Sequence, residues 1–165
     1  MGFLRWLLKN YKLSVSEMKI DRIKKSEYVA VVELWEASVR ATHHFLAEDD
    51  IQYFKPLILN SYLDAVDLRC MRNSDEKIVG FSGVAEGNLE MLFIDPEYRG
   101  QGIGKTLLNY TVKNMGVEKV DVNEQNEQAV QFYLHCGFEI IGRSALDPTG
   151  KPYPILHMQL KRLEE

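Results

Sequence analysis

The chain has 165 residues, of which 45% are hydrophobic and 27% charged, and this size suits one well-packed domain. Its net charge is −4 and its lysines and arginines are scattered along the sequence, which disfavours a nucleic-acid partner. The two cysteines, Cys70 and Cys136, have neither CxxC spacing nor clusters of further ligands, so we expect a cytoplasmic protein without a metal site or structural disulfide.

Residues 1–17 form an apolar segment interrupted by charged residues. The segment lacks a small-residue cleavage site and its apolar runs are short, which disfavours a signal peptide and a membrane span. We predict an N-terminal extension, an amphipathic helix that packs on the domain or on the second copy of a homodimer. The domain itself is predicted over residues 18–165.

The first half of the domain alternates extended and helical patterns. A strand is predicted over residues 18–23, and a helix with Ser26 as its N-cap runs to about Arg40, because its apolar residues recur at helical spacing. A second helix begins near Glu48, where three consecutive acidic residues suit the positive end of the helix dipole. Three strands separated by turn-forming residues follow, over residues 65–72, 77–85 and 89–95.

The second half begins with a glycine-rich segment. It continues with a helix over residues 102–115, a strand over 117–122, a helix over 126–135, a strand from Phe138 and, after the loop 147–154, a last strand over 155–160. This order predicts an α/β fold whose mixed sheet is antiparallel in its first half and has βαβ character in its second.

Three glycines, at positions 100, 102 and 104, lie between a strand and the start of a helix. Such a junction collects unpaired backbone N–H groups and the positive end of the helix dipole, and glycine lets a phosphate approach them. A tight turn without a ligand is the alternative. The Rossmann pattern would need a glycine at Leu107 and the Walker A pattern a glycine at Arg99, so both nucleotide-binding families are disfavoured.

The run FIDPEYRGQGIG, residues 93–104, resembles the acetyl-CoA motif of the GNAT N-acetyltransferase superfamily. A second match, NEQNEQAVQFY over residues 123–133 followed by Gly137-Phe138, lies at the distance found in that family. The runs ATHHFL, NEQNEQAV and GKPYP are similar to a YjaB-type subgroup of acetyltransferases. The resemblance covers residues 18 to about 160. It implies a GNAT-like, mostly antiparallel central sheet flanked by helices, and acetyl-CoA-dependent N-acetyl transfer to an amine.

The resemblance also implies where acetyl-CoA binds. Backbone amides of the glycine-rich segment would hold the pyrophosphate, and the open edge of the preceding strand would pair with the pantetheine arm and direct an N–H at the thioester oxygen. The implied cofactor-binding residues are Phe93, Ile94, Arg99, Gly100, Gln101, Gly102, Ile103, Gly104, Lys105, Thr106 and Asn126.

Tyr133 lies seven residues after Asn126 and so faces the same side of its helix. By resemblance, its hydroxyl donates a proton to the departing sulfur of CoA. The alternative is an ordinary core aromatic residue, a role for which we expect Phe132 instead.

The acceptor amine needs a proton acceptor, because an amine of pKa ~10.4 is almost fully protonated at neutral pH. By resemblance, Glu90 is the candidate base, and a solvated charge is the alternative. By the same resemblance, the segment with His43 and His44 borders the acceptor groove, so these residues are expected to bind the acceptor and are the next candidates for the base. The acceptor stays open between a peptide N-terminus, a protein lysine, a polyamine, an aminoglycoside and an amino acid. A non-catalytic acyl-CoA-binding or sensor domain and a nucleotide-binding protein are the other functional hypotheses.

Overall fold

The computed structural model describes residues 18–162, and the predicted N-terminal helix lies outside them. The seven strands of this range are β1 (Ile20–Asp21), β2 (Asp67–Arg72), β3 (Ile78–Ala85), β4 (Asn88–Ile94), β5 (Lys119–Asn123), β6 (Phe138–Ser144) and β7 (Ile155–Leu160). Its four α-helices are α1 (Tyr28–Thr42), α2 (Glu48–Leu57), α3 (Ile103–Asn114) and α4 (Glu127–His135). Helix α2 continues into a π-helical turn, Ile58–Tyr62.

The strands form one sheet in the order β1-β2-β3-β4-β5-β7-β6, and every neighbouring pair is antiparallel except β4 with β5. The parallel pair is short, because only Asn88 and Leu89 of β4 have partners in β5. Within the part of the chain that the structure describes, the rest of β4 therefore has no strand on its β5 side. The sheet opens into a cleft at this point, and the predicted α/β fold is confirmed.

Helices cover the sheet on both faces. Neighbouring residues of β3 face opposite sides of the sheet. Phe81 packs in the apolar cluster of α1 and α2, whereas a Cβ on Gly80 would lie 2.8 Å from Ile103 of α3. Helix α4 shares the face of α3, since Tyr133 and Leu108 belong to one cluster. The end of α1 and the start of α4 thus approach the cleft from opposite faces.

Two predicted details of the first half are wrong. The strand expected over residues 18–23 is only Ile20–Asp21, and Ser26 does not cap a helix. It lies in a 3₁₀ turn, Lys25–Glu27, because the Glu27 carboxylate folds back and accepts the Lys24 N–H at 2.8 Å. Helix α1 begins after this turn.

Candidate active site

A cavity of about 420 Å³ lies where β4 and β5 separate. Its walls come from the end of α1, the open part of β4, the glycine-rich segment and α4. Most of the predicted cofactor-binding residues line it, namely Phe93, Ile94, Arg99, Gly100, Gly102, Ile103, Gly104, Lys105 and Asn126. Gln101 and Thr106 are not part of its wall, and the Thr106 hydroxyl instead donates to the Gly102 carbonyl at 2.8 Å.

The glycine-rich segment has the backbone expected of an anion cradle. Gly100 and Gly102 have φ of +75° and +84°, and Gly102 is the N-cap of α3. A Cβ at either position would meet no atom within 4 Å, whereas one on Gly104 would lie 3.6 Å from the Phe132 ring, inside the cavity wall. The first N–H groups of α3 have no intrahelical acceptor, so the segment fits a phosphate-bearing ligand.

Helix α4 brings Asn126 and Tyr133 to the cavity. Asn126 is its N-cap, and the side-chain Oδ1 accepts the Ala129 N–H at 3.2 Å. The relative burial of the two aromatic residues of α4, Phe132 and Tyr133, differs from the prediction. Tyr133 is the more buried residue, only 6% exposed and packed edge-on against Phe132 and Phe138, whereas Phe132 is partly exposed. Both rings line the cavity, and the expectation that Phe132 is the better core residue of the two is wrong.

The Tyr133 hydroxyl makes no hydrogen bond within residues 18–162. Burial raises the pKa of Tyr133 well above its ordinary value, so the phenol stays protonated at neutral pH. A protonated, unbonded hydroxyl at the wall of the cavity is suited to proton donation.

A second cavity, of about 230 Å³, adjoins the first on the side of α1 and α2. Its wall is largely apolar, and Glu90 and Asp147 are its carboxylates. Glu90 is exposed, and its Oε1 accepts from the Asn88 amide at 3.0 Å. Among residues 18–162, only Phe93 and His43 line both cavities. His44 is exposed and lines neither, so the structure brings one of the two predicted histidines to the site.

The loop between β6 and β7 lines one side of the second cavity and is held to α2 by polar contacts. The Tyr153 hydroxyl donates to the Asp50 carboxylate, and Lys151 Nζ lies 2.8 Å from the same carboxylate. Both hydrogen bonds hold the pKa of Asp50 below its usual range, Lys151 contributing most. Glu48 pairs with Arg40 at 2.6 Å, so two of the three acids at the start of α2 are engaged within the fold.

Several residues that line the first cavity are not among the predicted site residues. Ser38 and Thr42 belong to α1, which only tertiary packing brings to the cleft. Gln128 also lines the first cavity, and its side-chain oxygen accepts from Arg99 Nη2 at 2.8 Å. Gln128 lies within the run NEQNEQAVQFY, and that membership could have indicated it.

Comparison with known proteins agrees with the fold and the cleft. Residues 67–140 match the family model described as an acetyltransferase (GNAT) domain. The chain is 38% identical over 141 residues to the peptidyl-lysine N-acetyltransferase YjaB of Escherichia coli K12, covering 86% of this chain and 95% of that protein. The YjaB protein of Salmonella typhimurium is 37% identical over the same length.

Solved structures match as well. The solution structure of apo-form YjaB from Escherichia coli superposes with a TM-score of 0.79 over 86% of this chain and 96% of that one. The PaiA N-acetyltransferase of Thermoplasma acidophilum, solved in complex with coenzyme A, is 19% identical and shares the fold with a TM-score of 0.64, over 87% of this chain and 99% of its own.

The fold, the cleft and the glycine-rich segment at the start of α3 are together those of an acyltransferase. The chain belongs to the GNAT acetyltransferases and is an N-acetyltransferase that uses acetyl-CoA. None of these comparisons favours the non-catalytic or the nucleotide-binding hypothesis. Among the described residues, no helix has the length and apolar character of a membrane span. The described residues also contain no cluster of three or more side chains that could hold a metal ion.

Proposed function

We propose that the chain transfers an acetyl group from acetyl-CoA to the side-chain amine of a lysine in a peptide or protein. The observation that carries this proposal is the second cavity, which has largely apolar walls and carboxylates at Glu90 and Asp147 and adjoins the cavity of the cleft. Apolar walls suit the four-carbon stem of lysine, and carboxylates suit its ammonium. The names of the relatives, peptidyl-lysine N-acetyltransferases, support the same acceptor.

The cofactor arrangement belongs to the same proposal. The amides at the start of α3 would hold the pyrophosphate, with Arg99 and Lys105 beside them, and Asn126 would contact the pantetheine arm. The unpaired edge of β4 at Phe93 and Ile94 offers backbone groups for the arm and an N–H for the thioester oxygen.

The catalytic roles are assigned to Tyr133 and Glu90. Glu90, at the second cavity, would take a proton from the incoming ammonium, which leaves a nucleophilic amine. Attack on the thioester carbonyl forms the C–N bond and breaks the C–S bond, and Tyr133 would donate its proton to the sulfur.

The setting of the reaction is part of this proposal. We expect it to take place in the cytoplasm, with acetyl-CoA and the amine acceptor as its partners, and without a metal, a nucleic acid or a membrane. The low net charge and the scattered basic residues support the expectation that no nucleic acid takes part. The homodimer stays a prediction.

An acceptor panel tests the proposal by release of free thiol from acetyl-CoA and by mass spectrometry of the acceptor. We expect a lysine peptide with a blocked N-terminus to be acetylated. A matched peptide with arginine in place of lysine, a peptide with a free N-terminus and no lysine, and spermidine should react at least tenfold more slowly. Faster acetylation of any of these three would refute lysine as the preferred acceptor.

A further inference from the structure

His43 occupies the junction between the two cavities. It follows the last residue of α1, and it is the only titratable side chain among the described residues that lines both cavities. Its ring lies 5.3 Å from the ring of Phe45 and 6.5 Å from that of Phe93, centroid to centroid. The imidazole therefore lies where the two cavities adjoin.

Neighbouring groups fix which ring nitrogen of His43 carries the proton. The Thr42 hydroxyl donates its single hydrogen to the Ser38 carbonyl at 2.8 Å. Its oxygen is therefore an acceptor toward His43 Nδ1, 2.7 Å away, and this nitrogen must carry a hydrogen. The lone pair of the neutral ring is thus on Nε2.

Asn126 confirms this assignment from the opposite side. The Asn126 oxygen already caps α4, so the nitrogen of its amide faces His43 and can only donate. It lies 3.5 Å from Nε2, longer than a normal hydrogen bond of about 2.9–3.0 Å. The lone pair is therefore held weakly, and an incoming amine can replace this partner.

The imidazole is also kept neutral. Burial, the Arg99 guanidinium and neighbouring His44 lower the pKa of His43 to about 4. At neutral pH the ring is available as a proton acceptor in nearly every molecule.

The reaction needs two proton acceptors for the nitrogen. A lysine ammonium carries three hydrogens and the amide product carries one, whereas the departing sulfur gains only one proton. Glu90 accounts for the first proton of the nitrogen, and Tyr133, which supplies the proton of the sulfur, must later regain one. The second proton of the nitrogen therefore has to leave through a group that lies beside the nitrogen. This proton becomes acidic once the C–N bond forms, so a weak base suffices at this stage.

We propose that Nε2 of His43 accepts the second proton from the acceptor nitrogen as the C–N bond forms, and that Thr42 holds the ring in the competent tautomer. The C–S bond breaks as the Tyr133 proton passes to the sulfur, and the nitrogen keeps one hydrogen. Glu90 and the imidazolium then release their protons to solvent and the Tyr133 phenolate takes one back, so that one proton leaves per turnover. This inference rests on the proposed amine acetylation, with Thr42 as a positioning residue and His43 as a catalytic one.

Substitutions of His43 test the proposal with the acceptor that the wild-type protein acetylates fastest. His43→Gln preserves polar contacts to Thr42 and Asn126 but cannot take up a proton, so kcat should fall about 10²-fold while acetyl-CoA affinity stays unchanged. His43→Ala should lose as much, and added imidazole should restore part of its kcat but none of that of His43→Gln. Thr42→Val, which removes the acceptor for Nδ1–H, should lower kcat about tenfold.

His135→Gln is the matched control, because His135 is an exposed histidine of α4 outside both cavities, and its kcat should equal that of the wild type. Wild-type kcat in His43→Gln would overturn the proposal. A loss in His43→Ala that imidazole does not relieve, accompanied by an equal rise in acceptor KM, would also overturn it and leave His43 as a wall residue. If His43→Ala does not fold, His43→Gln alone decides. If the wild type prefers another amine to lysine, the acceptor assignment fails, while the test of His43 proceeds with that amine.

Discussion

At the scale of single residues, Tyr133 is a phenol of the cleft whose surroundings suit proton donation. Tyr133→Phe removes only the hydroxyl and keeps the packing against Phe132 and Phe138. Because general-acid assistance is worth about 10²- to 10⁴-fold, kcat should fall within that range if departure of the sulfur limits the rate. Cofactor affinity, measured by calorimetry, and the thermal midpoint should change little.

Tyr110→Phe is the control for this substitution, since Tyr110 lies on α3 outside both cavities. Its kcat should match that of the wild type. A Tyr133→Phe protein that melts earlier but keeps normal kcat would show that Tyr133 is a core residue and not the acid.

Glu90 is tested by the pH dependence of kcat. Glu90→Gln should lower kcat at least tenfold at neutral pH, where the acceptor amine is protonated. The deficit should shrink as the pH rises toward the amine pKa of ~10.4, because the acceptor then loses its proton unaided. Glu139→Gln, on the exposed strand β6, should leave the profile unchanged. Parallel pH profiles of wild type and Glu90→Gln would exclude Glu90 as the base.

At the scale of elements, two glycine substitutions at the start of α3 test backbone strain and ligand contact separately. Gly102 has a positive φ, so Gly102→Ala should destabilise the fold by about 1–2 kcal/mol. Gly104 lies inside α3, where alanine is the better helix former, and the added methyl would meet Phe132 only at 3.6 Å. Gly104→Ala should therefore keep or raise the melting temperature of the free protein.

The same methyl group projects into the cavity wall, where it would hold the ligand away from the α3 amides. We expect Gly104→Ala to weaken acetyl-CoA binding at least tenfold by calorimetry. Unchanged affinity in this stable variant would place the pyrophosphate elsewhere.

The sequence predicts the elements well where local patterns decide them. The last strand, Ile155–Leu160, is predicted to the residue, and α2 begins at Glu48 as expected. The fifth strand begins two residues later than predicted, because the N–H of Val117 bonds back to Thr111 at the end of α3 and that of Glu118 bonds to the Gly87 carbonyl. Such bonds depend on which elements meet in space, and no local pattern contains them.

The same limit applies to the site. The motifs around Gly102 and Asn126 predict the cleft because both are helix starts with recognisable capping chemistry. The tautomer of His43 depends on Thr42 and on Asn126, 83 residues away in sequence. The burial order of Phe132 and Tyr133 depends on how α4 rotates against β6, which two adjacent aromatic residues cannot specify.

At the scale of the whole molecule, the cleft divides the sheet into two parts that share little backbone pairing. Strands β1–β4 form one part and β5–β7 the other, and only two residue pairs join β4 to β5. The cavity between them is lined from both sides, by β4 and α3 and by α4. A ligand in this cavity should therefore stabilise the fold as a unit rather than one of its parts.

A thermal-shift experiment measures this stabilisation. At a hundredfold excess over Kd, acetyl-CoA should add about 2.7 kcal/mol to the free energy of unfolding, which corresponds to a rise of roughly 5–10 °C in Tm for a chain of this size. ATP carries phosphates but lacks the pantetheine arm that β4 is proposed to bind, so it should shift Tm far less. Hydrogen exchange should slow in β4 and in the start of α4 together. Equal stabilisation by ATP and acetyl-CoA would show that the cradle binds phosphate alone, and protection confined to α3 would show that the two parts of the sheet are not joined by the ligand.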